Sequence, residues 1–520
     1  MIKKKLVALG LATVMVASVF SGCGSKKAGE TDATVANGSG DGRPSISIMT
    51  IDHSGSPLSA DGSDEVKERV FEYTNTNVEF TFVANDSYED KLGVTLMDQK
   101  NMPMIITVGT DMNATIVSAA KAGAFWDLND FIWDEEKYPN LSQANKDVMK
   151  QLVVDGQQIG VYRARPIGRN GLGYRKDWAD KLGLSEPETI EDVYNMAYAF
   201  TKNDPDGNGV DDTYGLALCK YDGPFDIIQA WFGAGNGWVE KDGELVPSFE
   251  TEEYLEALNW IKKMYDEGLV YQDFAVRDTN TWQDGVKNSE CGMMLDVLDS
   301  STRIWDYLVN NEIPAVNGDA TASMNLVGAI QKDENSEPVT QATSGMGGFF
   351  VITKAAKTEE DVENCLTFLD KMCDDEMLTL ADYGLEGKTY TVEDGKIVAN
   401  TQLQPNEKAM NGLNQVVAYI PNITLDNVKR TERKELEEQI KADNVQYAVF
   451  NPAAGYLVNS ETYSMNGASL DQIMDDARIQ YICGQIDESG LQAAIKNWET
   501  QGGSKVKEEV NTLYQADQTK

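Results

Sequence analysis

The stretch "SISIMTIDHSGSPLSADGSDEVKERVFEYTNTNVEFTFV", residues 45–83, decides the fold class. Its first seven residues alternate in polarity and carry isoleucines branched at Cβ, the pattern of a half-buried strand. "DEVKERVFEYTNT" (64–76) spaces its apolar residues as an amphipathic helix, and "NVEFTFV" (77–83) is a second strand. A strand, helix, strand opening predicts a parallel α/β sheet, whose loops at the carboxyl ends of the strands line a cleft. The loop "HSGSPLSADGS" (53–63) is therefore a candidate cleft loop, and it holds the sole histidine, His53.

Working outward, "YEDKLGVTLMDQKNMPMIITVG" (88–109) continues with a helix and a strand, and "SGMGGFFVITKAAKTEEDVENCLTFLDKMCDDE" (344–376) reads as a strand turning into a helix. From about Val428 to Gln518 the pattern is mostly helical. The chain from Pro44 onward has ordinary globular composition and is too long for one core, which predicts two domains or more.

The N-terminal "MIKKKLVALGLATVMVASVFSGCGSKK" places three lysines before an uncharged run from Leu6 to Phe20, long enough for a signal peptide and short for a membrane span. Ser21 and Gly22 stand before Cys23, which resembles a bacterial lipobox and implies a lipid-modified Cys23 as the mature N-terminus. Residues 1–22 are the expected signal peptide, and the polar segment 23–44 the expected tether. Loss of the signal removes three lysines and no acids, taking the formal charge from −39 to −42. Such a body is repelled by phosphate backbones, so nucleic acid is not an expected partner. The cysteines after Cys23 (Cys219, Cys291, Cys365, Cys373, Cys483) are widely spaced and odd in number, which favours buried thiols over a disulfide framework.

"NDPDGNGVDDTYG" (203–215) carries oxygen donors at alternate positions. Set against an EF-hand loop, Asp204, Asp206 and Asn208 take positions one, three and five, Gly209 the sharp turn, the carbonyl of Val210 position seven and Asp212 position nine. Position twelve is Gly215 rather than Glu, and no amphipathic exit helix follows, so a switch that moves helices is disfavoured. A structural calcium site and a solvated Asp/Gly turn both fit. Upstream, Thr189 and Asp192 have capping-box spacing at the start of the helix that leads into this loop.

Several segments together resemble the lipoprotein members of the bacterial extracellular solute-binding protein family 1, receptors of ABC transporters that import oligosaccharides. They are "DGQQIGVYRARP", "YRKDWADKLGLSEPETIEDVYNMAYAF", "NDPDGNGVDDTYG", "YGLEGKTYTVEDGK" and "WETQGGSKVKEEVNTLYQ", in the family's order along the chain. The segment "QKNMPMIITVG" departs from the family's Ser-Gly-Asp turn with Pro-Asp, having Asn101, Met102 and Met104 there. The resemblance implies an α/β, two-lobe periplasmic-binding-protein-like fold of type II with a hinge and a helical C-terminal region. It implies a monomer lipid-anchored to the outer face of the cell membrane, an oligosaccharide ligand, ABC permease partners, and a structural Ca2+ in the acidic loop. The expected first lobe is 45–165 with a return segment at about 305–400. The expected second lobe is 166–304, holding the calcium loop, with about 401–520.

Sugars present apolar faces ringed by hydroxyls, so a receptor needs aromatic planes and planar polar groups. Trp126, Trp178, Trp260 and Trp498 read as packing residues. Trp231, Trp238 and Trp282 lie beside glycines or polar turns, where a cleft role and a packing role fit equally. Arg163, Arg165, Tyr174 and Arg175 flank the expected crossing into the second lobe, and each arginine fits a ligand contact or a structural ion pair. One histidine excludes His-rich zinc sites, and no GxSxG, HExxH or phosphate-cradling motif is present, so no enzyme is expected. A glycosidase working through a carboxylate pair and a peptide receptor are the alternatives.

Overall fold

A computed structural model describes residues 42–98, 100–109, 112–279 and 281–518. The expected signal peptide, Cys23 and nearly all of the tether lie outside the described residues.

The opening stretch folds as its pattern predicts. Strand Ser45–Asp52 pairs in parallel with Asn77–Ala84 in continuous register, Ser45 opposite Asn77 through Asp52 opposite Ala84. The helix between them, Ser63–Thr74, buries Val66, Val70 and Thr74 at four-residue spacing. It stops at Asn75, whose left-handed backbone (φ 52°) lets its N–H reach back to the Phe71 carbonyl. Strand Ile105–Val108 joins in parallel on the other side of the first strand. Met346–Ile352 then runs antiparallel between it and Val161–Ala164, giving five strands in all. The second sheet has the order Met324–Val327, Asn170–Arg175, Cys291–Val297, Tyr214–Ala217. There Asn170–Arg175 is antiparallel to both neighbours, while the last two strands are parallel.

Each sheet has its own core. The first draws on residues from Ile46 to Tyr162 and from Met346 to Val428. The second draws on Leu172 to Ile330 and on Ala453 to Tyr514. The return into the first lobe therefore starts near 346 rather than 305, because Met324–Val327 is an edge strand of the second sheet. Residues 401–428 pack in the first core rather than the second, with Leu413, Val416 and Val417 fully buried there. The two lobes, their crossings and the helical C-terminal region together are the expected fold.

Three crossings lie side by side. Arg165 N–H donates to the Gly345 carbonyl (2.9 Å), Thr343 N–H to Ile167 (3.1 Å) and Ala342 N–H to Val449 (3.0 Å). The Asn444 side-chain amide donates to the carbonyls of Gly168 (2.9 Å) and Asn170 (3.0 Å). Gly168 permits this approach, since a Cβ there would stand 2.5 Å from the Asn444 Cβ. Among the described residues no helix is long and apolar enough to cross a membrane.

Candidate functional site

One concave surface opens where the lobes meet, and a second lies in the first lobe. The larger, about 950 Å3, draws on both lobes and the crossings, with Gln151, Asn170, Tyr221, Asn236, Asp296 and Gln341 in its wall. Tyr221 follows strand Tyr214–Ala217 and Asp296 closes strand Cys291–Val297, so both sit at the carboxyl ends of the parallel pair in the second sheet. The smaller, about 760 Å3, lies at the carboxyl ends of the first sheet's parallel strands. It is lined by His53, Asn85, Glu89, Asn113, Arg163, Arg165, Gly347, Asn414 and Gln415.

Tyr221 presents half of its surface to solvent. Its ring meets Trp282 edge-on at 5.8 Å, and Trp282 is fixed by donating its indole N–H to the Ala217 carbonyl at 3.1 Å. The result is an exposed aromatic plane propped by a buried one. Burial raises the phenol pKa of Tyr221, and the nearby Asp296, Asp226 and Asp222 add to it. Burial pushes Asp226 up to about 6 despite the guanidinium of Arg478, and raises Asp296 despite its hydrogen bond from Ser300. This wall is acidic and aromatic, suited to accept hydrogen bonds from hydroxyls.

The residues singled out from sequence fall into three groups. His53 and Arg163 line the first-lobe basin. Arg163 spends its N–H groups on the carbonyls of Asn414 (3.1 Å), Gly347 (3.3 Å) and Val417 (3.4 Å). Trp231 and Trp238 are buried in the second core, and Trp282 touches the cleft through Tyr221. Tyr174 and Arg175 belong to the far end of their strand. Asn170 pairs with Val297 at the cleft end, whereas Tyr174 pairs with Met293 at the other. Arg175 is closed in a two-toothed pair with Asp177 (2.8 and 2.9 Å), donates to Ser289 (2.8 Å) and covers the Trp178 ring at 4.9 Å. Its alternative reading as a structural ion pair is the one the geometry supports. Tyr221 was not singled out from sequence; its position just after the strand "TYGLAL" was the available signal.

The acidic loop joins helix Ile190–Lys202 to strand Tyr214–Ala217, and Thr213 ties its ends by donating to the Phe200 carbonyl (2.8 Å). Asp204, at φ 46°, accepts the backbone N–H groups of Gly207 (2.9 Å), Asn208 (3.0 Å) and Gly209 (3.0 Å). The Asn208 amide bridges Asp206 (2.7 Å) and Asp212 (3.2 Å). Burial raises Asp206, and the charges of Asp204 and Asp212 raise it further; hydrogen bonds from Asp206 and from the Gly209, Gly207 and Asn208 backbone hold Asp204 low against burial. The donors are all oxygens, which suits a hard cation. Among the described residues no three His, Cys, Asp or Glu side chains gather about one point closely enough to hold a metal. The cysteines after Cys23 are unpaired, and burial pushes Cys291 and Cys373 up to about 12.

Two α/β lobes strung on three adjacent crossings, with concave surfaces at the carboxyl strand ends of both sheets, define a two-lobed solute receptor. The chain belongs to the bacterial extracellular solute-binding protein family, whose model matches residues 55–369. It is 35% identical to Lipoprotein LipO of Bacillus subtilis (strain 168) over 99% of both chains. It is 31% identical to the polygalacturonan/rhamnogalacturonan-binding protein YtcQ of the same organism over 98% of both. Among solved structures it resembles an HMO-binding, ABC-transporter-associated solute-binding protein of Bifidobacterium longum infantis. That likeness has a TM-score of 0.67 at 16% identity and covers 91% of this chain and 99% of that one.

Proposed function

We propose that the protein captures an oligosaccharide between its lobes and delivers it to the membrane permease of an ABC importer. The observation that carries this reading is the propped Tyr221 plane at the carboxyl strand ends of one lobe, together with a basin of amides and guanidinium groups at those of the other. Stacking on an aromatic face with planar hydrogen-bonding groups at its rim is how a sugar ring is held. Carbohydrate ligands in the names of YtcQ and the Bifidobacterium receptor support it. Closure of the lobes over the ligand, about the three crossings, would create the surface that the permease reads.

The receptor is proposed to work as a monomer on the outer face of the cell membrane, held by lipid on Cys23 and the tether to residue 44; the lipobox-like sequence and the family support this. The acidic loop is proposed to take a structural calcium ion through Asp204, Asp206, Asn208, the Val210 carbonyl and Asp212. The all-oxygen donor set and the crowded negative charge at Asp206 support it, and the ion would brace the helix end against the strand. Binding without turnover is proposed, supported by the family and the lack of a catalytic motif.

The test is a thermal-shift screen of the soluble body against plant and microbial oligosaccharides in calcium. A ligand at a hundred times its dissociation constant stabilises by about 2.7 kcal/mol. A shift with the sugar recovered intact is the expected result. A shift with cleaved sugar would transfer the cleft to a glycosidase, and a shift with peptides alone would make it a peptide receptor.

A further inference from the structure

The first-lobe basin carries a charge that the oligosaccharide reading leaves unexplained. In a chain of net charge −39, every arginine among the described residues except Arg165 is engaged through its guanidinium by a carboxylate or a carbonyl. Arg165 is exposed and forms no ion pair among the described residues. Arg163, two residues earlier on the same strand end, meets carbonyls and no carboxylate. Two guanidinium charges therefore converge on a basin whose lining, among the described residues, has a single carboxylate, Glu89. Burial holds Arg163 below the ordinary arginine range against the pull of Tyr419 and Asp382, and the charge of Arg165 adds to the lowering. The groove on the other side of Arg165 has Asp426, Glu435 and Glu438, none of them paired with it.

The backbone fixes this arrangement. Strand Met346–Ile352 pairs Met346 with Ala164 and Phe349 with Tyr162, and the register slips between them. That bulge places Gly347 against both arginines. Its carbonyl accepts from Arg163 at 3.3 Å, and a Cβ on it would stand 2.4 Å from the Arg165 Nε. The Arg165 side chain thus passes close over a glycine, in space that any larger residue at 347 would take. A neutral sugar needs no such fork, whereas a planar carboxylate accepts two parallel N–H bonds from one.

Building on the oligosaccharide reading, we infer that the ligand carries carboxylates, as uronic acid units do, and that Arg165 on its Gly347 seat is the residue that reads them. The larger surface is acidic on both lobes, with Asp147 and Asp155 on the first and Asp226, Glu240 and Asp296 on the second, so the ligand's carboxylates belong in the basin beside Arg165 and its hydroxyls along the larger surface.

The experiment is calorimetric titration with oligomers of galacturonate, mannuronate and glucuronate, each beside its carboxyl-reduced, neutral counterpart. At least one acid is expected to bind tenfold or more tightly than its reduced form. Arg165→Gln should abolish that preference without moving the melting temperature, and Arg165→Lys should keep only part of it. Gly347→Ala, which displaces the guanidinium without removing it, should weaken the acid more than the reduced sugar. Reduced or other neutral oligosaccharides binding as well as the acids, or a preference that survives Arg165→Gln, overturns this inference and leaves the oligosaccharide reading standing. Failure of every acidic and neutral sugar overturns both.

Discussion

Removing Asp177 separates a structural arginine from a binding one. Its side chain is 0% exposed and that of Arg175 is 1% exposed. In Asp177→Ala the guanidinium loses two hydrogen bonds of 2.8 and 2.9 Å, and the Val316 N–H loses its acceptor at 3.3 Å. What stays with Arg175 is the Ser289 hydroxyl and the Trp178 ring. Stripping one partner from a closed buried pair costs about 3–5 kcal/mol, most of it the penalty of an uncompensated charge. For a lobe of this size each kcal/mol moves the melting temperature by about 2–4 °C, so a fall of roughly 6–20 °C is expected. Differential scanning calorimetry should show this in the transition of the second lobe while that of the first stays in place. The double variant Arg175→Met with Asp177→Leu should recover most of the loss, because an apolar pair of similar volume restores packing without stranding a charge. Sugar affinity of the recovered variant should match the parent, since the pair lies at the strand end away from the cleft. A fall of less than about 2 °C, or lost sugar binding at unchanged stability, would refute the reasoning.

Tyr221→Ala should weaken sugar binding about two- to tenfold, the worth of one aromatic contact, while Tyr221→Phe keeps it; titration calorimetry decides. Asp382 accepts from the Tyr419 hydroxyl at 2.6 Å, and burial raises it to about 6. The folded chain thus holds this proton more tightly than the unfolded one. Its contribution to stability is full below about pH 4 and is lost as the pH rises through about 6. Asp382→Asn should therefore reduce the fall in stability across that window in denaturant titrations; Asp226, also near 6, leaves a residual slope. Calcium should raise the melting temperature of the parent and not that of a variant with Asp204→Asn and Asp206→Asn; an equal rise in both would remove the ion from the loop.

Local patterns were legible because they depend on neighbours in sequence. The strand, helix, strand opening appears at Ser45–Ala84. The Thr189 and Asp192 side chains cap one another's backbone as their spacing predicts. The lobe boundaries were not legible because they depend on pairing at a distance. Nothing in "SMNLVG" says that it will lie beside Asn170–Arg175 rather than in the first sheet. The tryptophans show the same limit: Trp231 and Trp238, set among glycines, are buried by the helices and hairpin folded over them. Arg163 and Arg175 are indistinguishable in sequence, and only strand direction tells which end of a sheet each occupies.

The threading of the chain through both cores bears on its biogenesis. The first core has its last buried member at Val428 and its last packed neighbour at Val458, but the second still lacks Val506, Val510 and Tyr514 on the terminal helix Ser504–Gln518. A chain emerging from its N-terminus can therefore close the first lobe while the second waits for its last helix, which packs on strand Glu244–Pro247 and on helices Ala454–Asn459 and Glu461–Ile482. Until that helix arrives, the apolar surface that Val506, Val510 and Tyr514 cover stays open to solvent and to other chains.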